Sequence, residues 1–197
     1  MLIDVYDFDG TIYDGDSTAD YVLYCLRRHP SLLCALPRVA LAAARLALRR
    51  IGLTAFKSEL FAAMSRRIDL EAEAERFWRD GRTRGKLGAW FEKTPRDLPI
   101  VIASASPEFE LRHAAAILGV KTLIGTRCER GTGRLVGRNC KGEEKLSRIR
   151  EAVGDYTVRA MYTDDARADA PLLAIAKERY LVTHGRVQRR GGGESAP

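Results

Sequence analysis

The sequence predicts an α/β layered domain with a largely parallel sheet, broken after its first strand by an all-helical insertion. Three observations carry this. Short runs rich in Ile, Val and Leu alternate with helical stretches, the pattern of β-α units in a parallel sheet. From Asp14 to about Thr94 no strand signal survives and helix formers dominate. The chain has 197 residues, 46% of them apolar, enough for one full-sized domain that carries such an insertion.

Leu2-Ile3-Asp4-Val5-Tyr6 reads as a first strand that delivers the acidic, glycine-containing turn behind it. Leu98 to Ala103 is a second strand, followed by Ser-Ala-Ser-Pro. Pro107 suits the first turn of a helix running through Phe109, Leu111, Ala115 and Leu118 to Gly119. Thr122–Ile124, Val158–Tyr162 and Arg179–Thr183 read as third, fourth and fifth strands, with helices over 142–153 and 171–177 between them. Arg127 to Val136, with Gly131 and Gly133, reads as a small edge hairpin. The expected organisation is a discontinuous core of residues 1–13 and 95–185, a helical unit over 14–94 and a flexible tail over 186–197. Ligands of such sheets bind outside the carboxyl ends of the strands.

Composition narrows the class. Four scattered cysteines (Cys25, Cys34, Cys128, Cys140) have neither zinc-site spacing nor a disulfide framework, which fits a reducing cytoplasm. The first residues lack the regions of a signal peptide. The longest apolar stretch, Ser31 to Leu53, is broken by Pro37, Arg38, Arg45, Arg49 and Arg50, so a soluble or membrane-peripheral protein is expected. The net charge of +7 is concentrated: nine basic residues between Arg27 and Arg67 face Glu59 alone. Such a segment suits a phosphate-bearing substrate, an anionic membrane or nucleic acid, and equally a solvated helical face. Arg38, Arg45 and Arg49, spaced by seven and four, form a basic stripe on a helix over 37–51, which points to membrane contact through 37–53.

Four clusters carry chemistry. In Asp7-Phe8-Asp9-Gly10-Thr11, two carboxylates reach one point only if the chain leaves regular pleating, which Gly10 permits. Asp is a competent nucleophile toward phosphorus, and a second Asp two residues on can protonate a leaving alkoxide and later activate water. The same pattern also suits a plain turn or a metal loop. Ser104-Ala105-Ser106-Pro107 offers a hydroxyl and backbone N–H groups to a phosphate; Ser106 before Pro107 is the better N-cap, leaving Ser104 for ligand. Asn139 to Lys145 puts a lysine on the first turns of a helix, where it can neutralise phosphoryl charge or simply be solvated. Asp164-Asp165-Ala166-Arg167-Ala168-Asp169 supplies hard oxygen donors of the kind Mg²⁺ takes, or a charged loop capping the next helix.

In this order the four clusters resemble the haloacid dehalogenase superfamily, in its phosphoserine-phosphatase-like branch. The resemblance implies a Rossmann-like parallel sheet sandwiched by helices, with the insertion acting as an α-helical cap. It implies a Mg²⁺-dependent phosphomonoester phosphatase with an aspartyl-phosphate intermediate, Asp7 being nucleophile and Asp9 general acid and base. It assigns Gly10, Thr11, Ser104, Ala105 and Lys145 to phosphate, Lys145 being preferred to Lys141 by its spacing from Gly142. Asp7, the backbone of Asp9, Asp165 and Asp169 go to the metal and its water. Asp164 departs from the pattern, standing where the family usually has glycine. Asp16, nine residues after Asp7, matches an acidic substrate-selecting position of phosphoserine-specific relatives, and is also a good N-cap. The expected substrate is a small metabolite phosphate such as phosphoserine, with a phospholipid headgroup as the alternative. Nucleic-acid binding is the least supported reading, since no aromatic-rich recognition motif accompanies the modest charge.

Overall fold

The computed structural model describes residues 1–191. Its first strand, β1 (Leu2–Tyr6), is the frame for the rest. Ile3 and Val5 point into one apolar core, and Tyr6 into the other. Burial on both faces is what a central parallel strand requires. Behind β1 come α1 (Ser17–Arg28), a 3₁₀ turn (Pro30–Ala35), α2 (Leu36–Ala47), α3 (Leu53–Met64), α4 (Leu70–Arg79), α5 (Gly81–Arg84) and α6 (Ala89–Glu92). The chain then alternates: β2 (Ile100–Pro107), α7 (Glu108–Ile117), β3 (Thr122–Thr126), α8 (Glu143–Val153), β4 (Thr157–Thr163), α9 (Ala170–Ile175) and β5 (Glu178–Thr183), ending in β6 (Arg186–Arg190).

The sheet order is β3-β2-β1-β4-β5-β6, parallel except for the last pair. Strand order therefore reverses between β1 and β4, and the crevice at that switch point is where an open α/β sheet takes its ligand. Tyr6, Tyr162 and Tyr180 are in register on β1, β4 and β5 and stack with ring centroids 4.4 and 4.5 Å apart. Trp90 and Phe91, on α6, cover this ladder.

The insertion is helical as expected, but it is joined to the core by more than its ends. Where the chain enters and leaves it, Asp14 N–H donates to Lys86 O and Gly88 N–H to Ile12 O, at 2.9 and 2.7 Å. Tyr21, Phe61, Phe77 and Trp78 share one core with Phe8 and Phe109, and Trp78 Nε1 donates to Glu110 O at 2.8 Å. The hairpin expected over 127–136 forms, closed by a Cys128–Leu135 bridge, and lies against the insertion: Ser65 Oγ donates to Thr132 O and Leu135 N–H to Ser58 Oγ.

Two expectations need correction. Residues 186–190 are not tail but β6, paired antiparallel to β5 through a tight turn in which His184 and Gly185 both have positive φ; residues 192–197 lie outside the described part. The basic stripe on a helix over 37–51 does not form. α2 stops at Ala47, Arg49 sits at φ 55 beyond it, and half-buried Arg45 pairs with Glu59 of α3 at 2.8 Å. Eighteen residues, Pro30–Ala47, pass for a membrane span by length and composition alone, with Arg38 and Arg45 interrupting them as expected.

Asp4 is a buried carboxylate inside the sheet, held by Arg159 through Nε (2.9 Å) and Nη2; Arg159 Nη1 also donates to Asp97 at 2.9 Å. Removing one partner of a buried pair strands the other charge, so Arg159→Leu is expected to destabilise the fold by about 3 kcal/mol. A urea midpoint unchanged from wild type would contradict this.

Candidate active site

The turn after β1 is built on one acceptor: Phe8 O receives the N–H groups of Thr11, Ile12 and Tyr13 at 3.2, 2.9 and 2.9 Å. Gly10 makes the turn possible. Its φ is +71, and a Cβ there would lie 2.1 Å from Asp164 Oδ2. Gly10→Ala is therefore expected to cost about 1–2 kcal/mol in backbone strain and to displace Asp164. Thermal unfolding together with activity checks this, and a fully stable, fully active variant would contradict it.

The turn brings Asp7 and Asp9 into mutual electrostatic influence at the switch point. Asp7 continues the β1–β4 pairing by donating its N–H to Tyr162 O at 2.9 Å. Its Oδ1 accepts from Lys145 Nζ at 2.8 Å, and 14% of its side chain stays exposed. Burial pushes its pKa up, Lys145 opposes this, and Asp169 and Asp9 add to it, leaving Asp7 at about 7. Lys145 is buried, and burial alone would lower its pKa; Asp7 and Asp169 more than reverse that and hold it as the ammonium.

Asp169, in the turn between β4 and α9, meets Lys145 of α8 and Thr163 of β4. Its Oδ1 accepts from Lys145 at 2.6 Å and its Oδ2 from Thr163 Oγ1 at 2.7 Å. Oδ1 thus orients the lysine, while the Thr163 bond to Oδ2 fixes the carboxylate itself. Asp165 Oδ1 accepts the N–H groups of Arg167 and Ala168, both at 3.0 Å; the Ala168 N–H is the leading cause of a lowered pKa, so the group is firmly ionised. Asp164, in the family's usual glycine position, crosses to the Asp7 turn. Its N–H donates to Thr11 Oγ1 at 2.9 Å and its carboxylate lies over Gly10. The Thr11 hydroxyl is thereby spent on joining two loops.

The largest surprise is Ser106. It does not cap α7, whose N-cap is Pro107 without a side-chain bond, because β2 continues to Pro107. Ser106 N–H instead donates to Ser104 Oγ at 3.1 Å, and Ser106 Oγ donates to Asp9 Oδ2. Ser17 N–H donates to Asp9 Oδ1 at 2.7 Å, so both oxygens of Asp9 are fixed. Burial raises the Asp9 pKa; the bonds from Ser106 and Ser17 oppose this without cancelling it. The Ala105 carbonyl is occupied by Thr126 Oγ1 at 2.8 Å. Asp16 is the N-cap of α1, accepting Ala19 N–H at 2.9 Å.

Behind Asp9 runs a buried chain that the sequence did not disclose. Thr18 Oγ1 lies 3.0 Å from both Ser106 Oγ and Glu110 Oε2. Its single proton serves one of them. Burial, reinforced by Asp9, pushes the Glu110 carboxyl up to about 8 against the opposing Ser17 and Thr18 bonds. Protonated Glu110 then donates to Thr18, Thr18 to Ser106 and Ser106 to Asp9, so every proton in the chain is used. The folded pKa exceeds the ordinary 4.5, so Glu110 costs nothing below that pH and progressively destabilises the fold as pH rises to about 8. Glu110→Gln is expected to remove that loss: the stability difference between variant and wild type should shift in favour of the variant between pH 5 and 8. A difference independent of pH would contradict the assignment.

Among the described residues, no three acidic, His or Cys side chains converge into a closed metal cage. Mg²⁺ does not require one, since it keeps several waters and binds one or two carboxylates plus substrate phosphate. Burial, with Asp169 and Asp9 adding to it, raises Asp7 despite Lys145, and burial raises Asp9, so ionising both carboxylates calls for more positive charge than the one lysine supplies. The donor set fits a hydrated divalent cation.

The family profile of haloacid dehalogenase-like hydrolases matches residues 5–174. The chain belongs to the haloacid dehalogenase-like hydrolases. Among relatives in this family's reach, protein CicA of Caulobacter vibrioides is 29% identical over 208 residues, covering 94% of this chain and 88% of its own. A Bordetella pertussis Tohama I protein of unknown function has a similar structure, with TM-score 0.71 at 23% identity, over 90% of this chain and 88% of that one. A phosphoserine phosphohydrolase-like protein of Francisella tularensis gives TM-score 0.55 at 16% identity, over 91% and 86%. The fold is that of the phosphoserine-phosphatase-like members of the haloacid dehalogenase family, and the family makes the chain a hydrolase.

Proposed function

We propose that the chain is a phosphomonoester phosphatase acting through an aspartyl-phosphate on Asp7. The observation that supports it most is the division of labour between two carboxylates one residue apart. Asp7 faces a buried ammonium, whereas Asp9 is held by neutral donors in a setting that favours its proton. Asp7 forms the new O–P bond as the ester P–O bond breaks, and Asp9 delivers its proton to the departing oxygen. Asp9, now ionised, takes a proton from water, whose oxygen attacks phosphorus and releases Asp7.

A carboxylate approaching a phosphate oxygen meets like charge; two unit charges at 4 Å repel by about 4 kcal/mol at an effective dielectric of 20. Lys145, held by Asp169, offsets this from one side. Mg²⁺ would be held by Asp7, the Asp9 carbonyl and Asp165, with Asp164 beside them, and would supply the remaining positive charge. Ser104 and the backbone at the start of α7 would receive phosphate oxygens. The helical insertion, tied to the Asp7 turn at its neck, would act as the cap that excludes water and selects substrate. Transfer of the phosphoryl group to an alcohol instead of water uses the same first step. The capping bond of Asp16 weakens its claim to bind a substrate ammonium.

Phosphate release from p-nitrophenyl phosphate tests this. Release should depend on Mg²⁺, stop with a chelator and be absent in Asp7→Asn; metal-independent release, or release by that variant, would contradict it.

A further inference from the structure

The residues between Pro30 and Leu53 have almost nothing packed on their outer face. Only 11% of the stretch Pro30–Ala47 is buried, although it is long and apolar enough to pass for a membrane span by length and composition. Leu33, Leu36, Leu41, Leu48 and Leu53 are all exposed, Leu41 and Leu48 by about two thirds. On α2 Ala42 is buried and Arg45 is pinned to Glu59; Leu41, beside Arg38 and Arg45 at the rim of the α2–α3 groove, and Leu48, just past the helix end, stay exposed. An apolar surface of this extent on a helix pair calls for a partner.

Charge decides which partner. Arg38, Arg49 and Arg50 are exposed around those leucines, and no carboxylate lies within ion-pair distance of them among the described residues. Glu59, the single acid between Arg27 and Arg67, is already paired with Arg45. Leucines flanked by unpaired arginines match the boundary of an anionic bilayer, where apolar side chains enter the acyl region and guanidinium groups meet headgroup phosphates. α2 has 12 residues, which gives it a length of about 18 Å, short of a bilayer core. Its tie to α3 also favours lying on the surface over crossing it.

A second feature joins this face to the active site. A groove of 310 Å³ between α1 and α3 is lined by Val22, Leu23, Leu53 and Phe56, with Lys57 at its wall and Thr18 at one end. Thr18 is the residue 3.0 Å from Ser106, the partner of Asp9; Leu23 and Leu53 open to solvent. We infer that the Pro30–Leu53 face docks on an anionic lipid surface, and that the phosphomonoester cleaved at Asp7 is an amphiphile whose apolar chain lies in this groove. The substrate half rests on the phosphatase reading above; the docking half does not.

Full-length protein is sedimented with phosphatidylcholine vesicles and with vesicles containing phosphatidylglycerol. Wild type should bind the anionic vesicles about tenfold more tightly or better, with most of that lost at about 0.5 M salt. Leu41→Gln/Leu48→Gln and Arg38→Gln/Arg49→Gln/Arg50→Gln should each weaken binding about tenfold. Both should leave p-nitrophenyl phosphate turnover unchanged and lower hydrolysis of phosphatidate in the same vesicles. Among soluble alkyl phosphates, kcat/KM should rise about two- to fourfold per added methylene.

Equal partition onto both vesicles, no binding, or variants that bind like wild type would overturn the docking. So would a dimer in solution that the leucine variant dissociates, since a second copy would then cover the face. Chain-length independence would remove the groove. If wild type binds vesicles yet releases no phosphate from any ester, docking stands and the phosphatase reading falls.

Discussion

Asp7→Asn is expected to lower kcat for phosphate release by about four orders of magnitude or more while leaving the fold intact, as loss of a covalent nucleophile does elsewhere. The amide keeps the shape of the carboxylate and an oxygen for Lys145, which stays paired with Asp169. What disappears is the charged oxygen that attacks phosphorus. Removing a buried negative charge from a site crowded with three carboxylates should, if anything, raise thermal stability slightly. Steady-state turnover and a melting curve on the same preparation separate the two effects. Substantial residual activity in a well-folded variant would mean that another group, or water, attacks phosphorus.

Asp9→Asn is expected to cost about 10²–10⁴ in rate on esters whose leaving group is an alkoxide. The loss should shrink for p-nitrophenyl phosphate, because that leaving group departs without a proton. The variant should also accumulate phosphoenzyme, since the water step needs the same residue as a base. Equal losses on alkyl and nitrophenyl esters would place Asp9 outside proton transfer and reduce it to a structural or metal-binding role. The amide keeps one acceptor, for Ser17 N–H, and its NH2 group meets Ser106 Oγ, which must then accept instead of donate, so a melting curve on the variant separates a folding defect from this pattern.

The parallel core was legible in the sequence because each strand carries its own apolar run and each helix its own stop. β1, β3, β4 and β5 fall where Leu2–Tyr6, Thr122–Ile124, Val158–Tyr162 and Arg179–Thr183 place them, within a residue or two. β6 was hidden because Arg186-Val-Gln-Arg-Arg is exposed on both faces and shows no alternation. Its signal lay instead in the two-residue His184-Gly185 turn, whose positive φ values suit a hairpin. Arg49 misled in a different way: helical spacing continues through it, but the backbone leaves the helix at Leu48.

At the site, Asp7, Asp9, Lys145 and Asp169 were readable as residues and converge as expected. In the sequence their division of roles followed from the family resemblance and not from spacing; which oxygen meets which donor is legible only in the fold. Ser106 was misread because a serine before proline at a strand–helix junction has a local explanation, the N-cap, that the actual bond to Asp9 overrides. Thr18 and Glu110 left no usable trace. They meet across 92 positions, and Glu110 looks like an ordinary first-turn acid of α7.

The central claim is a covalent bond between Asp7 and phosphorus, and rapid acid quench followed by peptide mass spectrometry tests it most directly. With substrate and Mg²⁺, the peptide containing Asp7 should gain one phosphoryl group that hydroxylamine removes, and the gain should be larger in Asp9→Asn. Full turnover with that peptide never modified, in wild type or in Asp9→Asn, would contradict the account and leave direct attack by water in its place.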